Sequence, residues 1–255
     1  MLKEERQRLI LETLQLQGTV LASALSERLN VSEDTIRRDL KELADSGILQ
    51  RVHGGAMLRL QNVDYTVRRE QAQETKIEIA RATLSLIRNG QVIIMDGGTT
   101  TLQVARHLPR DLHATIITNS PPIVMVLAEY PALDVIVVGG SLYKPSLVSV
   151  GVEAVEALRS VRADLCLLGI CSLHPEIGIS VPEREELYTK RAMIASSAEV
   201  VALASAEKLY TVAPYVVGPL QDLTYLVTEN AATAEQLAPY EQLGISIIRG
   251  SQNPT

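Results

Sequence analysis

Through the first fifty residues, apolar side chains recur at every third or fourth position, which is the spacing of helices with one buried face. The spacing holds from about Lys3 to Gly18, where a glycine suits a helix C-cap. It resumes over residues 21–29 and again over residues 32–46. The pattern therefore predicts three helices, the last two joined by a tight turn as in a helix-turn-helix.

The third predicted helix has a clear start and a clear buried face. Ser32 is a good N-cap, and Glu33 with Asp34 places acids at the positive end of the helix. Three apolar residues at i, i+4 and i+7, beginning with Ile36, must face the core, which turns the basic side chains toward solvent. An exposed arginine pair suits a phosphate backbone or a guanine edge, although arginines on a helix also occur as a simple solvated face.

Two strand-like segments around a glycine turn follow the third helix. They cover residues 48–52 and 53–58, with Gly54 and Gly55 at the turn. This pattern predicts a two-stranded wing. Three helices and a wing match a known DNA-docking geometry, whereas the same unit used only for protein packing is the alternative.

Beyond residue 75 the pattern changes to short apolar runs separated by helical or loop segments. A helical pattern extends from Thr75 to Gly90, and residues 91–95 form a buried strand-like run. Further strand-like runs occupy residues 115–118, 133–138, 165–168, 200–203, 225–227 and 245–248. This alternation predicts a mostly parallel α/β domain at residues 76–250, joined by a linker at 59–75 to a DNA-binding domain at 1–58.

Composition and charge exclude several classes of protein. The 255 residues are 46% hydrophobic, as in globular proteins, but no apolar run approaches the length of a membrane span. The charged N-terminus lacks a secretory signal, so we expect a cytoplasmic protein without a membrane partner. Cys166 and Cys171 have neither disulfide nor metal-ligand spacing, so we expect no metal site. The net charge is −6, yet the first sixty residues hold nine basic and nine acidic side chains, so the acid surplus lies in the larger domain.

A glycine- and threonine-rich loop follows the strand-like run at residues 91–95. Its glycines let backbone amides approach an anion, its threonines add hydroxyl donors, and the next helix contributes its positive end. The loop consists of Asp96, Gly97, Gly98, Thr99, Thr100 and Thr101. A phosphate is the expected ligand, although alone the loop also fits a simple capped turn. The loop lacks the lysine of a nucleotide P-loop and the glycine spacing of a dinucleotide fold, so no ATP or NAD cofactor is expected.

Two more polar loops follow predicted strands. Asn119 and Ser120 come after one strand, and Gly139 and Gly140 after the next. In a parallel sheet such loops gather along the carboxyl edge of the strands. The sequence therefore predicts one ligand site built from three loops.

The N-terminal motif resembles the DNA-binding signature of the DeoR family of regulators, across Val31 to Leu40, Leu43, Gly47 and Arg51 to Ala56. The resemblance implies that the helix from Ser32 to Ser46 enters the major groove of an operator and that the wing touches DNA nearby. The residues it assigns to double-stranded DNA are Ser32, Glu33, Thr35, Arg37, Arg38, Lys41, Arg51, His53, Gly54 and Gly55.

The larger domain resembles the effector domain of the same family, which is similar in fold to ribose-5-phosphate isomerase. The resemblance adds Gly151, Lys190 and Lys208 to the three loops, with Lys208 as the cation nearest a ligand phosphate. Arg69 and Lys76 also fall where the family has basic residues. Cys171 and Ser205 stand where the family usually has aspartates, so recognition of sugar hydroxyls is expected to differ, or the ligand to be another one.

The resemblance implies a homo-oligomeric repressor of carbohydrate-metabolism genes whose operator binding responds to a phosphorylated sugar. Activation of transcription and a ligand that acts as corepressor are the alternatives. An isomerase is the competing class, because Asp96 is a possible general base. Glu183, Glu185 and Glu186 offer further carboxylates but form no isomerase signature, so no enzymatic activity is expected. A DNA-binding protein whose larger domain only assembles oligomers is the third possibility.

Overall fold

The computed structural model describes residues 1–52, 54–59 and 63–250. The N-terminal unit contains α1 (Lys3–Gln17), β1 (Thr19–Leu21), α2 (Ala22–Leu29), α3 (Glu33–Asp45), β2 (Leu49–Val52) and β3 (Gly55–Arg59). The three predicted helices and the wing are thus confirmed. Ser32 caps α3 as expected, its hydroxyl accepting a hydrogen bond from the Thr35 amide at 3.3 Å. The predicted core positions, including Ile36 and Leu40, are buried with Ile10 and Leu14 of α1.

The larger unit is built on a seven-stranded, entirely parallel sheet. Its strands are β4 (Val92–Met95), β5 (Ala114–Thr118), β6 (Leu133–Val137), β9 (Ala163–Gly169), β12 (Ser197–Leu203), β15 (Tyr225–Thr228) and β16 (Ser246–Arg249). Every strand predicted for this domain is present. Their order across the sheet is β16-β15-β12-β9-β4-β5-β6, so the chain builds outward from β4 in both directions.

Helices cover both faces of this sheet, as successive residues of a strand face opposite sides. On one face Ile93 and Leu165 pack beneath α5 (Gln73–Thr83), α6 (Thr99–His107) and α7 (Pro121–Leu127). On the other, Ile94 and Cys166 pack beneath α8 (Val152–Arg159), α9 (Arg184–Ala195) and α10 (Ala234–Gln242). The two layers give a doubly covered parallel sheet, and none of the helices in the described part of the chain is long and apolar enough to span a membrane.

Several short elements lie outside the predicted pattern. They are α4 (Tyr65–Glu70) and the strands β7 (Ser141–Tyr143), β8 (Val148–Val150), β10 (Ser172–His174), β11 (Gly178–Val181), β13 (Thr211–Val212) and β14 (Tyr215–Gly218). The helix expected from Thr75 to Gly90 begins earlier and ends at Thr83, followed by a short 3-10 turn, Leu84–Leu86. The region expected to be a linker therefore contains α4, a helix too short and polar to leave a periodic signal.

The two units are joined by β13. This strand belongs to the larger unit but pairs in parallel with the wing strand β3, Thr211 lying opposite Leu58. With β1 and β2 it completes a four-stranded sheet shared by both units. The wing is therefore part of the contact between the units.

Candidate functional site

The exposed face of α3 carries the basic residues expected to meet DNA. Arg37, Arg38 and Lys41 are exposed, while Thr35 is half-buried beside the N-cap. Arg37 forms an exposed ion pair with Glu33 at 2.7 Å. Such a pair is weak in water, so the guanidinium can exchange its partner for a phosphate oxygen.

A buried ion pair holds α3 against α1. The Arg6 guanidinium donates to both carboxylate oxygens of Asp39, one of them at 3.1 Å, and both side chains are about nine-tenths or more buried. This hydrogen-bonded carboxylate raises the pKa of Arg6 despite burial, which acts in the opposite direction. Asp39 therefore fixes the position of α3 against α1 and does not contact DNA. The apolar pattern of the sequence did not indicate this structural role.

The wing presents its expected residues unequally. Gly54 is exposed at the turn with φ of +79°, and Arg51 is exposed on β2. Gly55 is buried, and a side chain there would meet the Val20 carbonyl oxygen of β1 at 1.9 Å. His53 lies outside the described residues. Of the described wing residues that were assigned to DNA, Arg51 and Gly54 lie at the surface.

A cavity of about 260 Å³ opens at the carboxyl edge of the central strands of the sheet. It lies where β4 meets β9, the point from which the chain runs toward opposite edges, and such switch points are the usual ligand crevices of α/β sheets. Its lining comes from the segments after β4, β9 and β12, from α9, from α4, α5 and their connection, and from the turn between β7 and β8. The lining residues are Arg68, Gln71, Ala72, Lys76, Gly97, Gly98, Thr99, Thr100, Thr101, Ser146, Gly169, Ile170, Cys171, Glu186, Lys190, Leu203, Ser205, Glu207 and Lys208.

The first turn of α6 forms one wall of the cavity. Gly98 precedes it with φ of +153°, a conformation that side chains disfavour, and its carbonyl accepts the first helical hydrogen bond, from Leu102 at 3.0 Å. The first-turn amides of a helix have no carbonyl partners within that helix and sit at its positive end. This wall is therefore suited to an anion.

Two lysines stand at the more open rim of the cavity. Lys208 lies in a short 3-10 helix, Ala206–Lys208, and pairs with Glu207 at 3.1 Å. The Lys76 ammonium donates to the carbonyl oxygens of Arg68 and Gln71 at the end of α4. Burial lowers the pKa of Lys76, an effect that a bound phosphate would oppose.

The floor of the cavity is a buried cluster of charged side chains. Lys190 donates to the Asp96 carboxylate and, at 2.8 Å, to the Gly169 carbonyl oxygen, while the Gly169 amide donates to Asp96 at 3.0 Å. Burial opposes the charge on Lys190, but Asp96 and the neighbouring Cys171 and Glu186 raise its pKa. Asp96 thus lies behind the lining, neutralised by a lysine, rather than exposed as a general base.

The other residues assigned to the ligand are not brought together with these. Asn119 and Ser120 are buried behind the cavity, with the Asn119 amide donating to the Ser149 carbonyl oxygen at 3.0 Å. Gly139 and Gly140 follow β6, the edge strand, which lies two places from β4 and three from β9, and they do not line the cavity. Gly151 lines a separate surface groove instead.

Several lining residues carried no signal of their own in the sequence. Arg68, rather than Arg69, faces the cavity, and donates to Ser146 at 3.3 Å, whereas Arg69 pairs with Glu70 at the surface. The choice between adjacent arginines depends on the direction of α4, a helix that the pattern did not reveal.

Cys171 and Ser205 both line the cavity. Within the described ranges no group of three or more side chains suited to a metal ion occurs.

Two family models match the chain. Residues 6–62 match the DeoR-like helix-turn-helix domain, and residues 71–230 match the DeoR C terminal sensor domain. The chain is 32% identical to the HTH-type transcriptional regulator GlpR of Haloferax volcanii over 98% of this chain and 99% of the relative. It is also 32% identical to the HTH-type transcriptional repressor GlcR of Bacillus subtilis, over 99% and 98%. The Glycerol-3-phosphate regulon repressor of Haemophilus influenzae is 31% identical over 88% of each chain.

Among solved structures, ribose 5-phosphate isomerase A from Methanocaldococcus jannaschii aligns with a TM-score of 0.40 and 16% identity over 54% of each chain. Nothing about ligand or chemistry follows from so distant a likeness.

Proposed function

The chain belongs to the DeoR family of transcriptional regulators, and on that premise we propose that it represses carbohydrate-metabolism genes under the control of a phosphorylated sugar. The family regulates transcription and is not a family of enzymes. The observation that carries the proposal is the cavity at the β4–β9 switch point, with a helix N-terminus on one wall and two lysines at the rim. The repressors among the relatives, including one named for a glycerol-3-phosphate regulon, support it.

The proposed DNA binding depends on α3 and the wing. Arg37, Arg38 and Lys41 form an exposed basic face on a helix fixed from inside by Asp39. Such a face would contact phosphates and base edges in the major groove, while Arg51 of the wing contacts the neighbouring backbone. Because operators of helix-turn-helix proteins carry repeated half-sites, we further propose a homo-oligomer that presents two or more such units.

The ligand phosphate would sit at the first turn of α6. Backbone amides of residues 99–101 and the hydroxyls of Thr99 and Thr100 would donate to it, and Lys208 and Lys76 would supply positive charge from the rim. Lys208 would exchange its exposed partner Glu207 for the phosphate. The rest of the sugar would extend toward the floor, where Glu186 and Cys171 lie.

Two short paths connect this cavity with the DNA-binding unit. One is the segment from Met57 to Thr75, whose α4 contributes Arg68 to the cavity. The other begins at Lys208 and reaches β13 and its pairing with the wing strand within three residues. A ligand that favours one position of these segments would shift the wing and α3 between binding and release of the operator.

Binding of the purified protein to DNA from its own upstream region tests the proposal. The complex is titrated with sugar phosphates and with the matching unphosphorylated sugars, at fixed salt. Release of DNA by one phosphate ester, but not by its unphosphorylated sugar, is the expected result. DNA binding that no ester alters would leave the helix-turn-helix assignment and remove the proposed effector.

A further inference from the structure

The floor of the cavity contains a carboxylate oxygen with an unused hydrogen-bonding capacity. Glu186 lies in the first turn of α9, is 6% exposed and lines the cavity. Its Oε2 atom is buried and has no hydrogen-bond partner among the described residues. A buried acceptor without a donor raises the free energy of the folded protein unless a ligand or a water molecule donates a hydrogen bond to it.

A second unpartnered atom faces the same cavity. Thr101 Oγ1 is buried without a hydrogen-bond partner in the described part of the chain, and Thr101 also lines the cavity. A Cβ placed on Gly169 would lie 3.4 Å from this hydroxyl and 3.2 Å from Asp96 Oδ2, so the hydroxyl adjoins the buried charged cluster. The Glu186 carboxylate can only accept a hydrogen bond, whereas the Thr101 hydroxyl can donate or accept one. A hydroxyl on the ligand, which also does both, can therefore bind to the two side chains together.

The unpartnered acceptor in the floor favours one kind of ligand end over another. Asp96 and Glu186 are two carboxylates beside the Lys190 ammonium, which donates to Asp96 and to a backbone carbonyl. Burial raises the pKa of Glu186, and the positive charges of Lys190 and Arg68 oppose this shift only in part. A carboxylate on the ligand has no hydrogen to donate to Glu186 Oε2 and would place a second acceptor against it, whereas a ligand hydroxyl can donate.

We infer that Glu186 is a specificity-determining residue that accepts a hydrogen bond from a hydroxyl at the non-phosphorylated end of the ligand, assisted by Thr101. The inference rests on the proposed function, in which the phosphate occupies the rim. It narrows the ligand class to monophosphates of polyols or sugars with a neutral, hydroxylated far end. Phosphorylated sugar acids and bisphosphates are disfavoured, because an ionised carboxylate or phosphate at the far end has no hydrogen to donate to Glu186 Oε2.

Matched ligand pairs test this inference without knowledge of the natural effector. Each polyol monophosphate of three, four or six carbons is compared with the acid in which a terminal carboxylate replaces the terminal CH₂OH, such as glycerol 3-phosphate with 3-phosphoglycerate. Calorimetric titration of the full chain gives both affinities, with inorganic phosphate as the probe of the rim alone. Wild-type protein is expected to prefer the polyol of at least one pair by about 10- to 100-fold, the range for a hydrogen bond to a charged partner.

The informative variant is Glu186→Gln, which keeps the shape of the side chain but removes its charge. It is expected to bind the polyol phosphate more weakly and the acid more tightly, so that the preference falls to within about threefold. Its affinity for inorganic phosphate should stay within about twofold of wild type, which separates a specific effect from general damage to the fold. Glu185→Gln, the same change at an exposed neighbouring carboxylate, is the control and should keep the wild-type preference.

The outcomes separate this inference from the proposed function. An unchanged preference in Glu186→Gln would overturn the role of Glu186 alone, as would an equal loss of all ligands including inorganic phosphate. Wild-type protein that binds no polyol phosphate, sugar acid phosphate or inorganic phosphate would instead overturn the phosphate site, and this inference with it. A gain of acid binding confined to Glu186→Gln would support both.

Discussion

Thr19 and His174 join the two units through a hydrogen bond of 3.1 Å between Thr19 Oγ1 and His174 Nε2. The Glu176 amide donates to the other ring nitrogen, Nδ1, at 3.2 Å. In the neutral ring Nδ1 therefore accepts, and Nε2 carries the proton and donates to Thr19. A second proton on the ring would oppose the Glu176 amide and disturb this contact.

This contact predicts an acid-sensitive stability. Burial lowers the pKa of His174 below its ordinary value of 6.5, although the charge of Glu176 acts in the opposite direction. The unfolded chain binds more protons below pH 6.5, so the stability that the neutral ring contributes is present above that pH and is lost as the pH falls toward the lowered pKa. Thermal unfolding from pH 7.5 to 5.5 should show a larger fall in Tm for wild type than for His174→Gln. Parallel pH profiles would contradict a buried, neutral His174.

Substitution of Gly18 provides a second test of the contact between the units. It ends α1 with φ of +71°, and a Cβ on it would lie 2.1 Å from Tyr210 Cβ. Gly18→Ala should therefore combine backbone strain of about 1–2 kcal/mol with a steric clash of about 1–3 kcal/mol. Gly47→Ala, at φ of +78° with nothing within 4 Å, carries the strain alone and is the matched control. Equal destabilisation of both variants in urea unfolding would argue against close packing of α1 on Tyr210.

The basic face of α3 predicts a strong and salt-dependent effect on DNA affinity. Replacing Arg37 and Arg38 together by alanine should abolish operator binding without unfolding the α/β unit, because both side chains are exposed. The affinity of the wild-type protein should fall with salt, with a slope of log affinity against log salt of about −0.9 for each phosphate that it contacts. Fluorescence anisotropy over a salt series measures both quantities. Arg159→Ala, an exposed arginine on α8, should bind like wild type, and an unchanged double variant would remove the assignment of α3 as recognition helix.

The rim of the cavity predicts variants that bind DNA but no longer respond to a ligand. Lys208→Ala removes a rim cation, and Gly98→Val forces a side chain into the strained turn before α6. Both should keep operator affinity within about twofold while losing at least tenfold in sensitivity to the phosphate ester, as expected for a charged hydrogen bond. Lys144→Ala changes an exposed lysine of the same unit and should respond normally. A normal response by Lys208→Ala and Gly98→Val would place the phosphate elsewhere.

Local patterns were sufficient to predict the elements but not their arrangement. The strands of the central sheet were recognised because each is a short apolar run bounded by polar residues, and Ser32 marked the start of α3 by its chemistry. The sequence also indicated a loop after β4, and Gly97 to Thr101 do line the cavity. Propensity, periodicity and capping depend on residues that are close in the chain, so they can be recognised from a single sequence.

The lateral order of the strands is a different kind of information. The sequence predicts that the loops after β4, β5 and β6 converge, because the carboxyl ends of parallel strands lie along the same edge of the sheet. The sheet instead places β9 beside β4, so Gly169 and Cys171 join the cavity while Gly139 and Gly140 stay near the edge. Strand order depends on contacts between distant segments, which no local pattern records.

The central claim, that a ligand of the cavity controls DNA binding, is tested most directly by measuring the coupling from the ligand's side. The affinity of the effective phosphate ester is determined by calorimetry for the free protein and for the protein saturated with operator DNA. Linkage requires that DNA change the ligand affinity by the same factor by which the ligand changes the DNA affinity, about 5- to 150-fold in typical systems. The account predicts weaker ligand binding in the DNA complex by that shared factor, and equal ligand affinity with and without DNA would contradict it.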